Sequence, residues 1–161
     1  QLLPESREER IEVLGLAHEI CGRLGLGWNR RLSIFAPMVA SGQAPEGFML
    51  MAKKYGSTDD DLAKADARQI ATLNALTARL KSQQAAGSDF FVGNSISAVD
   101  FYWAAFSVMF DLLPPEKCPM TEEARPMFSN MADGVRTALD PMLIAHRDRI
   151  MASHFKLPME M

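Results

Sequence analysis

ISAVDFYWAAFSVMFDLL, residues 96–113, has no polar side. Wound as a helix from Ala98, it places Phe101, Tyr102, Trp103, Phe106, Val108, Met109, Phe110, Leu112 and Leu113 all round the axis, the pattern of a helix enclosed by its neighbours. A membrane span is the competing explanation. About 16 residues, interrupted by Ser107 and ended by Asp111 and Pro114, fall short of the roughly 20 that a bilayer requires, so the run is expected at the centre of a helical bundle. Immediately before it, Ser97 and Asp100 have the spacing of a capping box. In that motif the Asp100 carboxylate reaches back to the Ser97 N–H while the Ser97 hydroxyl accepts from the N–H of Asp100. Ile96 and Phe101 then fall on the positions of a hydrophobic staple. A helix that starts inside the protein needs this, because water cannot satisfy its first N–H groups.

Outward from this centre, apolar residues recur at helical spacing and no Val, Ile or Thr run alternates with period two, which predicts about six helices and no sheet. After Pro4, the first helix is expected to bury Ile11, Leu14, Ala17, Cys21 and Leu24 and to end at Gly25 and Gly27. Trp28, Leu32, Phe35 and Val39 share a side of the second, which Pro37 should kink or end early. Gly42, Pro45 and Gly47 form a loop, and the short apolar segment Phe48 to Met51 closes at Gly56. Ser57 to Asp61 then supply caps and first-turn carboxylates for the longest helix. It should run to about Ala86 with Ala63, Ala67, Ile70, Leu73, Thr77 and Leu80 inward, and stop at Gly87. Thr121 caps a weakly amphipathic stretch around Met127, Met131, Val135 and Leu139, which Pro126 and Gly134 weaken. Asp140 and Pro141 suit the cap and first position of a last helix, with Leu143, Arg147, Ile150 and His154 marking its rows and Phe155 its end.

A chain of 161 residues is one domain's worth, able to bury roughly two-thirds of its unfolded surface. Hydrophobic residues at 48% and charged residues at 23% exclude disordered, collagen-like and disulfide-scaffold classes. Seventeen Lys plus Arg against twenty Asp plus Glu give a net charge of -3 with no basic block, so a nucleic-acid partner has no electrostatic footprint. Cys21 and Cys118 have neither metal-site spacing nor a neighbouring base, which points to a reducing cytoplasm and away from thiol catalysis. His18, His146 and His154 are too far apart in helical register to share a metal and are expected to be solvated or capping. Gln1 to Arg10 contain no secretory signal.

The loop Phe90-Phe91-Val92-Gly93-Asn94, the box and the apolar helix follow one another directly. This constellation resembles the C-terminal helical domain of the glutathione transferase family, with Phe91, Gly93, Ser97 and Asp100 matching the family's aromatic, Gly and Ser/Thr-x-x-Asp positions. Pro4 followed by charged residues is similar to the family's passage from its linker into the helical domain. The ending from Asp148-Arg149 to Leu157-Pro158 looks like that of some bacterial members. The resemblance spans nearly the whole chain, and the cap is its one specific motif. The segment with Pro37, Gly42 and Pro45 departs from it, being less regular than a long straight second helix.

The resemblance implies an all-α domain over residues 1–161, an orthogonal bundle of about six helices around one buried central helix. It further implies a thioredoxin-like N-terminal domain outside these residues, which holds most glutathione contacts and the Tyr, Ser or Cys that activates the thiol. The helical half would contribute a pocket for an apolar electrophile and part of a homodimer surface, with glutathione as co-substrate and neither metal nor membrane involved. Trp28, Arg31, Leu32, Phe35 and Met38 are spaced to share one helical surface, and Tyr102 and Phe106 lie one turn apart, which makes them the candidate pocket residues. The same spacing also suits plain core. Eleven methionines fit either an adaptable pocket or ordinary filler. Arg30 and Arg31 would attract a carboxylate but have no neighbouring Gly-rich turn to complete glutathione recognition. Two other functions share this fold: a noncatalytic interaction module, and a glutathione-dependent reductase or isomerase.

Overall fold

Thr58, Ser97, Thr121 and Asp140 each stand at the head of a helix, as their side-chain chemistry dictates. A computed structural model describes residues 1–42, 44, 46–54, 58–122 and 124–159. The helices are α1 (Arg7–Cys21), α2 (Leu26–Ala40), α3 (Glu46–Lys54), α4 (Asp59–Ala85), α5 (Ala98–Ser107), α6 (Ala124–Ser129), α7 (Asp133–Ala138) and α8 (Pro141–His154). No strand occurs among the described residues. The expected all-helical class is therefore observed. The expected loop and capping positions at Pro45, Gly56 and Ser57 lie outside the described residues.

In α4 the Thr58 hydroxyl accepts the Asp61 N–H at 3.1 Å, and Asp59, Asp60 and Asp61 face the positive end of the helix dipole. Gly87 ends α4 with φ +85, a conformation that costs glycine little. In α8 Asp140 accepts the Met142 N–H at 2.9 Å with Pro141 behind it. Thr121 accepts the Ala124 N–H at 3.2 Å and starts α6. Residues 121–139 divide into α6 and α7, and residues 46–54 form a helix of their own, so the bundle exceeds the expected six. The extra pieces are short segments that the Pro and Gly residues break rather than abolish.

The buried face of α1 differs from the expected one. Val13, Ala17 and Ile20 are inside, whereas Ile11 and Leu14 are 66% and 53% exposed and Cys21 is exposed. Two apolar rows run along this helix, and packing against α5 and α2 selects one of them. α1 also ends earlier than expected, at Gly22, with Leu24 in the turn and Gly25 capping α2. Gly27, expected to be a breaker, lies buried inside α2 because a Cβ there would stand 2.2 Å from the Phe106 ring. Pro37 does not end α2 early, since in the last turn it forfeits only one N–H and the helix runs on to Ala40.

α4 buries Ala65, Gln69, Leu73, Leu76, Thr77 and Leu80, while Ala63 and Ala67 are exposed and Ile70 is half-buried. Its first half turns toward α2, where Gln69 donates to the Ser33 hydroxyl at 2.9 Å and Ser33 donates to Asp66 at 2.9 Å. A polar residue thus occupies a core row that apolar counting misses. α5 lies between α1 and α8, with Val99, Trp103 and Ala104 fully buried and the Trp103 indole donating to the Leu143 carbonyl at 2.9 Å. It is shorter and less enclosed than expected. After Ser107 the chain continues as a turn through Phe110, and Tyr102 is 42% exposed.

Replacing Gly27 by Ala tests the close approach of α2 and α5. Helix propensity alone favours Ala by about 1 kcal/mol, but the added methyl meets Phe106 and should produce a net loss of roughly 1–3 kcal/mol. Urea unfolding reads the sign, and a raised midpoint would contradict the packing described.

Candidate functional site

Two constructions stand out, a buried ionic node beneath α5 and an apolar crevice beside α2. The node begins with the capping box. Asp100 is fully buried, and its Oδ2 accepts the Ser97 N–H at 2.8 Å and the Ser97 hydroxyl at 2.9 Å. Its Oδ1 accepts the Phe91 N–H at 3.1 Å and lies 3.0 Å from His146 Nε2. Arg149 approaches the other ring nitrogen, Nδ1, at 3.0 Å. A guanidinium can only donate, so Nδ1 accepts, while Nε2 lies close to Asp100 without making a hydrogen bond to it. Arg149 also donates to the Asp89 carbonyl and stacks 5.3 Å from the Phe90 ring centre. The Phe91 ring meets His146 edge-on at 4.7 Å.

Burial pushes the Asp100 carboxyl upward, but the neighbouring His146 ring and the Ser97 and Phe91 N–H groups together outweigh it and hold the group below the ordinary carboxylate range. His146 is buried, in contrast to the solvated or capping role expected for the histidines, while His18 and His154 are exposed. A buried capping carboxylate needs more than its cap to satisfy four lone pairs, and that shortage is the sequence signal that could have revealed a further partner. Arg147, on the expected inner row of α8, is also buried and bonds Asp111 through its carbonyl at 2.7 Å and its carboxylate at 2.8 Å.

Arg30 does not await a carboxylate. It is buried, with Nε donating to the Met109 carbonyl at 2.8 Å, the guanidinium donating to the Phe128 carbonyl at 2.6 Å, and the Phe110 ring 5.5 Å away. Burial pulls its pKa down to about 10, with Asp66 opposing and Arg136 adding to the shift. It remains charged at neutral pH and ties α2 to the chain following α5 and to α6.

Arg31, Leu32, Phe35, Ala36 and Val39 of α2 line the crevice with Ala52 of α3 and Leu62 of α4. Its free volume is about 10 Å³, room for roughly one water. Of the seven residues expected in a pocket, Arg31, Leu32 and Phe35 are brought together here. Phe106 stands beside them, its ring centre 5.4 Å from the Arg31 guanidinium carbon. Trp28 and Met38 are half-buried on α2, Tyr102 is on the outer side of α5, and none of the three is among the lining residues. Ala36 continues the α2 row that Leu32, Phe35 and Val39 define, so it was within reach of spacing. Ala52 and Leu62 come from other helices and were not.

No family model, curated protein or solved structure matches this chain. No helix among the described residues is long and apolar enough to cross a membrane. No metal-holding group of His, Cys, Asp and Glu occurs among the described residues.

Asp100→Ala strands the Ser97 and Phe91 N–H groups and the His146 ring, and should cost about 3 kcal/mol or more. Asp100→Asn isolates the charge. Because the folded pKa of Asp100 lies below its unfolded value of about 3.9, the carboxylate's contribution is fully present above that pH and is lost as pH falls through the folded pKa. Parent and Asn variant should therefore differ most near neutrality, and the gap should narrow as pH falls below the ordinary carboxylate range and through the depressed folded pKa. A stability gap that does not change between pH 7 and pH 2.5 would contradict an ionised Asp100.

Proposed function

We propose that this chain is the helical, co-substrate-binding domain of a glutathione transferase-like protein. The observation that carries the reading is the Asp100 construction, in which one buried carboxylate joins the Phe91 loop to the Ser97 cap of the central helix. Phe91, Ser97 and Asp100 are among the residues that carry the family resemblance, and the buried start of α5 needs their hydrogen bonds. The crevice on α2, with Arg31, Leu32 and Phe35, offers the seat for an apolar electrophile. Phe106 would act at its margin, through its contact with Arg31.

On this reading a thioredoxin-like domain binds glutathione, activates its thiol and presents it to the electrophile held by the helical half. The outward row of Ile11 and Leu14 gives α1 apolar surface that such a domain or a second protomer would cover. The protein would work as a cytoplasmic homodimer. The residues described here supply no thiol-activating set, since Cys118 is buried with its thiol pushed up by desolvation, and Cys21 donates to its own helix at the Ala17 carbonyl.

Conjugation of glutathione to a generic aryl halide, measured for these 161 residues and for the intact gene product, tests the proposal. Turnover is expected only in the intact product. Turnover by the 161 residues alone would overturn the division of labour, and its absence from both would favour a noncatalytic module.

A further inference from the structure

A second cleft, of about 380 Å³, opens between α4, the end of α7 and the head of α8. It shares no lining residue with the crevice beside α2, and Asn74, where it begins, lies twelve residues past Leu62 on α4, about 18 Å along the axis. Its volume falls in the range of small-molecule sites, roughly 300–1,000 Å³.

One wall is a single row of α4. Asn74, Thr77 and Lys81 follow one another at helical spacing, so the first and last stand two turns, about 10 Å, apart. Thr137 of α7 and Asp140, the cap of α8, belong to the other wall. Lys81 donates to Asp140 Oδ2 at 3.0 Å, and no further ionisable residue lines the cleft. The two charges cancel, and the walls hold no net charge to select an ion.

What the walls do hold is hydrogen-bonding capacity that the fold does not use. Thr77 is 8% exposed, and its hydroxyl oxygen is buried with no hydrogen-bond partner among the described residues, an arrangement that costs stability. The exposed Asn74 amide bonds to no other side chain or carbonyl among the described residues. Thr137 donates to the Asp133 carbonyl at 2.9 Å and keeps its lone pairs for an outside donor. The Asn74 amide sets a donor beside an acceptor within one side chain, and Lys81 with Asp140 do so as a pair. Neighbouring hydroxyls on a ring or carbon chain present the matching alternation, since each one both donates and accepts. Ala78, Ala138 and Pro141 leave small apolar surfaces between the polar groups, on which the C–H face of such a ring can rest.

We propose that the α4/α7/α8 cleft binds neutral polyhydroxylated molecules, sugars or polyols up to the length of a disaccharide, through Asn74, Thr77, Thr137 and the Lys81–Asp140 pair. The two-turn span of the α4 row sets that length. This second site goes beyond the transferase reading and does not depend on it.

Amide NMR of the chain titrated with maltose and, separately, with glycine tests the site. Maltose should shift the Asn74 side-chain amide and the Thr77, Thr137 and Ala138 backbone signals along one saturating curve. Glycine, whose two charges would have to compete for Lys81 and Asp140, should not. Thr77→Val removes an unanswered hydroxyl, so this variant should unfold at the parent's temperature or above it while binding maltose about fivefold more weakly. Ala78→Leu fills the cleft and should abolish the maltose shifts. No saturating shift with maltose, a saturating response to glycine in its place, or full maltose affinity in either variant would overturn the proposal.

Discussion

A carboxylate with no exposed surface is costly to place, and the surroundings of Asp100 are arranged to meet that cost. An ion in so dry a position persists only if every lone pair is answered. Ser97 answers from the cap with its N–H and its hydroxyl, Phe91 answers from the preceding loop, and the His146 ring of α8 lies 3.0 Å away. The Phe91 loop, the adjoining Ser97 cap and the distant α8 are thereby brought to one carboxylate, and α5 can begin inside the core with the Ser97 and Phe91 N–H groups answered. Arg149 completes the set by fixing the His146 tautomer and clamping the Asp89–Phe90 turn above it.

Once α5 is anchored, it packs against α1 and α8, while α2 lies chiefly on α4 and meets α5 through one side chain. Phe106 fills the space where Gly27 has no side chain and so sets how near α2 may come. The same ring then faces Arg31, which connects the core of the bundle to the lip of the crevice. Two adjacent arginines on α2 meet opposite fates because a helix turns about 100° per residue. Arg30 points inward and spends its donors on carbonyl oxygens, while Arg31 stays at the surface with its charge available.

Features that depend on a few neighbouring residues were legible before any coordinates. The Ser97/Asp100 box, the Thr121 and Asp140 caps, Pro141 and the Gly87 stop all follow from local chemistry. The choice of face was not legible where a helix carries two apolar rows, as α1 does with Ile11 and Leu14 on one and Val13 and Ile20 on another. Only the position of α5 decides between them. α4 misled for a related reason, since Gln69 holds a core position through hydrogen bonds to another helix, and polarity alone places it outside. Three of the expected pocket residues met because they share one turn-spaced row of α2. Tyr102 did not join them, because the relation of α5 to α2 is a matter of tertiary geometry. His146 was missed on the same ground, its partner lying 46 positions away, about 13 helical turns in sequence and in direct contact in space.

The claim on which this account hangs is that Asp100 stands ionised beneath α5, with His146 Nε2 beside it and Nδ1 turned to the Arg149 guanidinium. Nitrogen NMR of the His146 ring at neutral pH tests that directly, because the two ring nitrogens give separate signals for the protonated and bare states. The account predicts a neutral ring with the proton on Nε2 and Nδ1 bare toward Arg149. A proton on Nδ1, or a ring averaging between tautomers as a solvated histidine does, would contradict it.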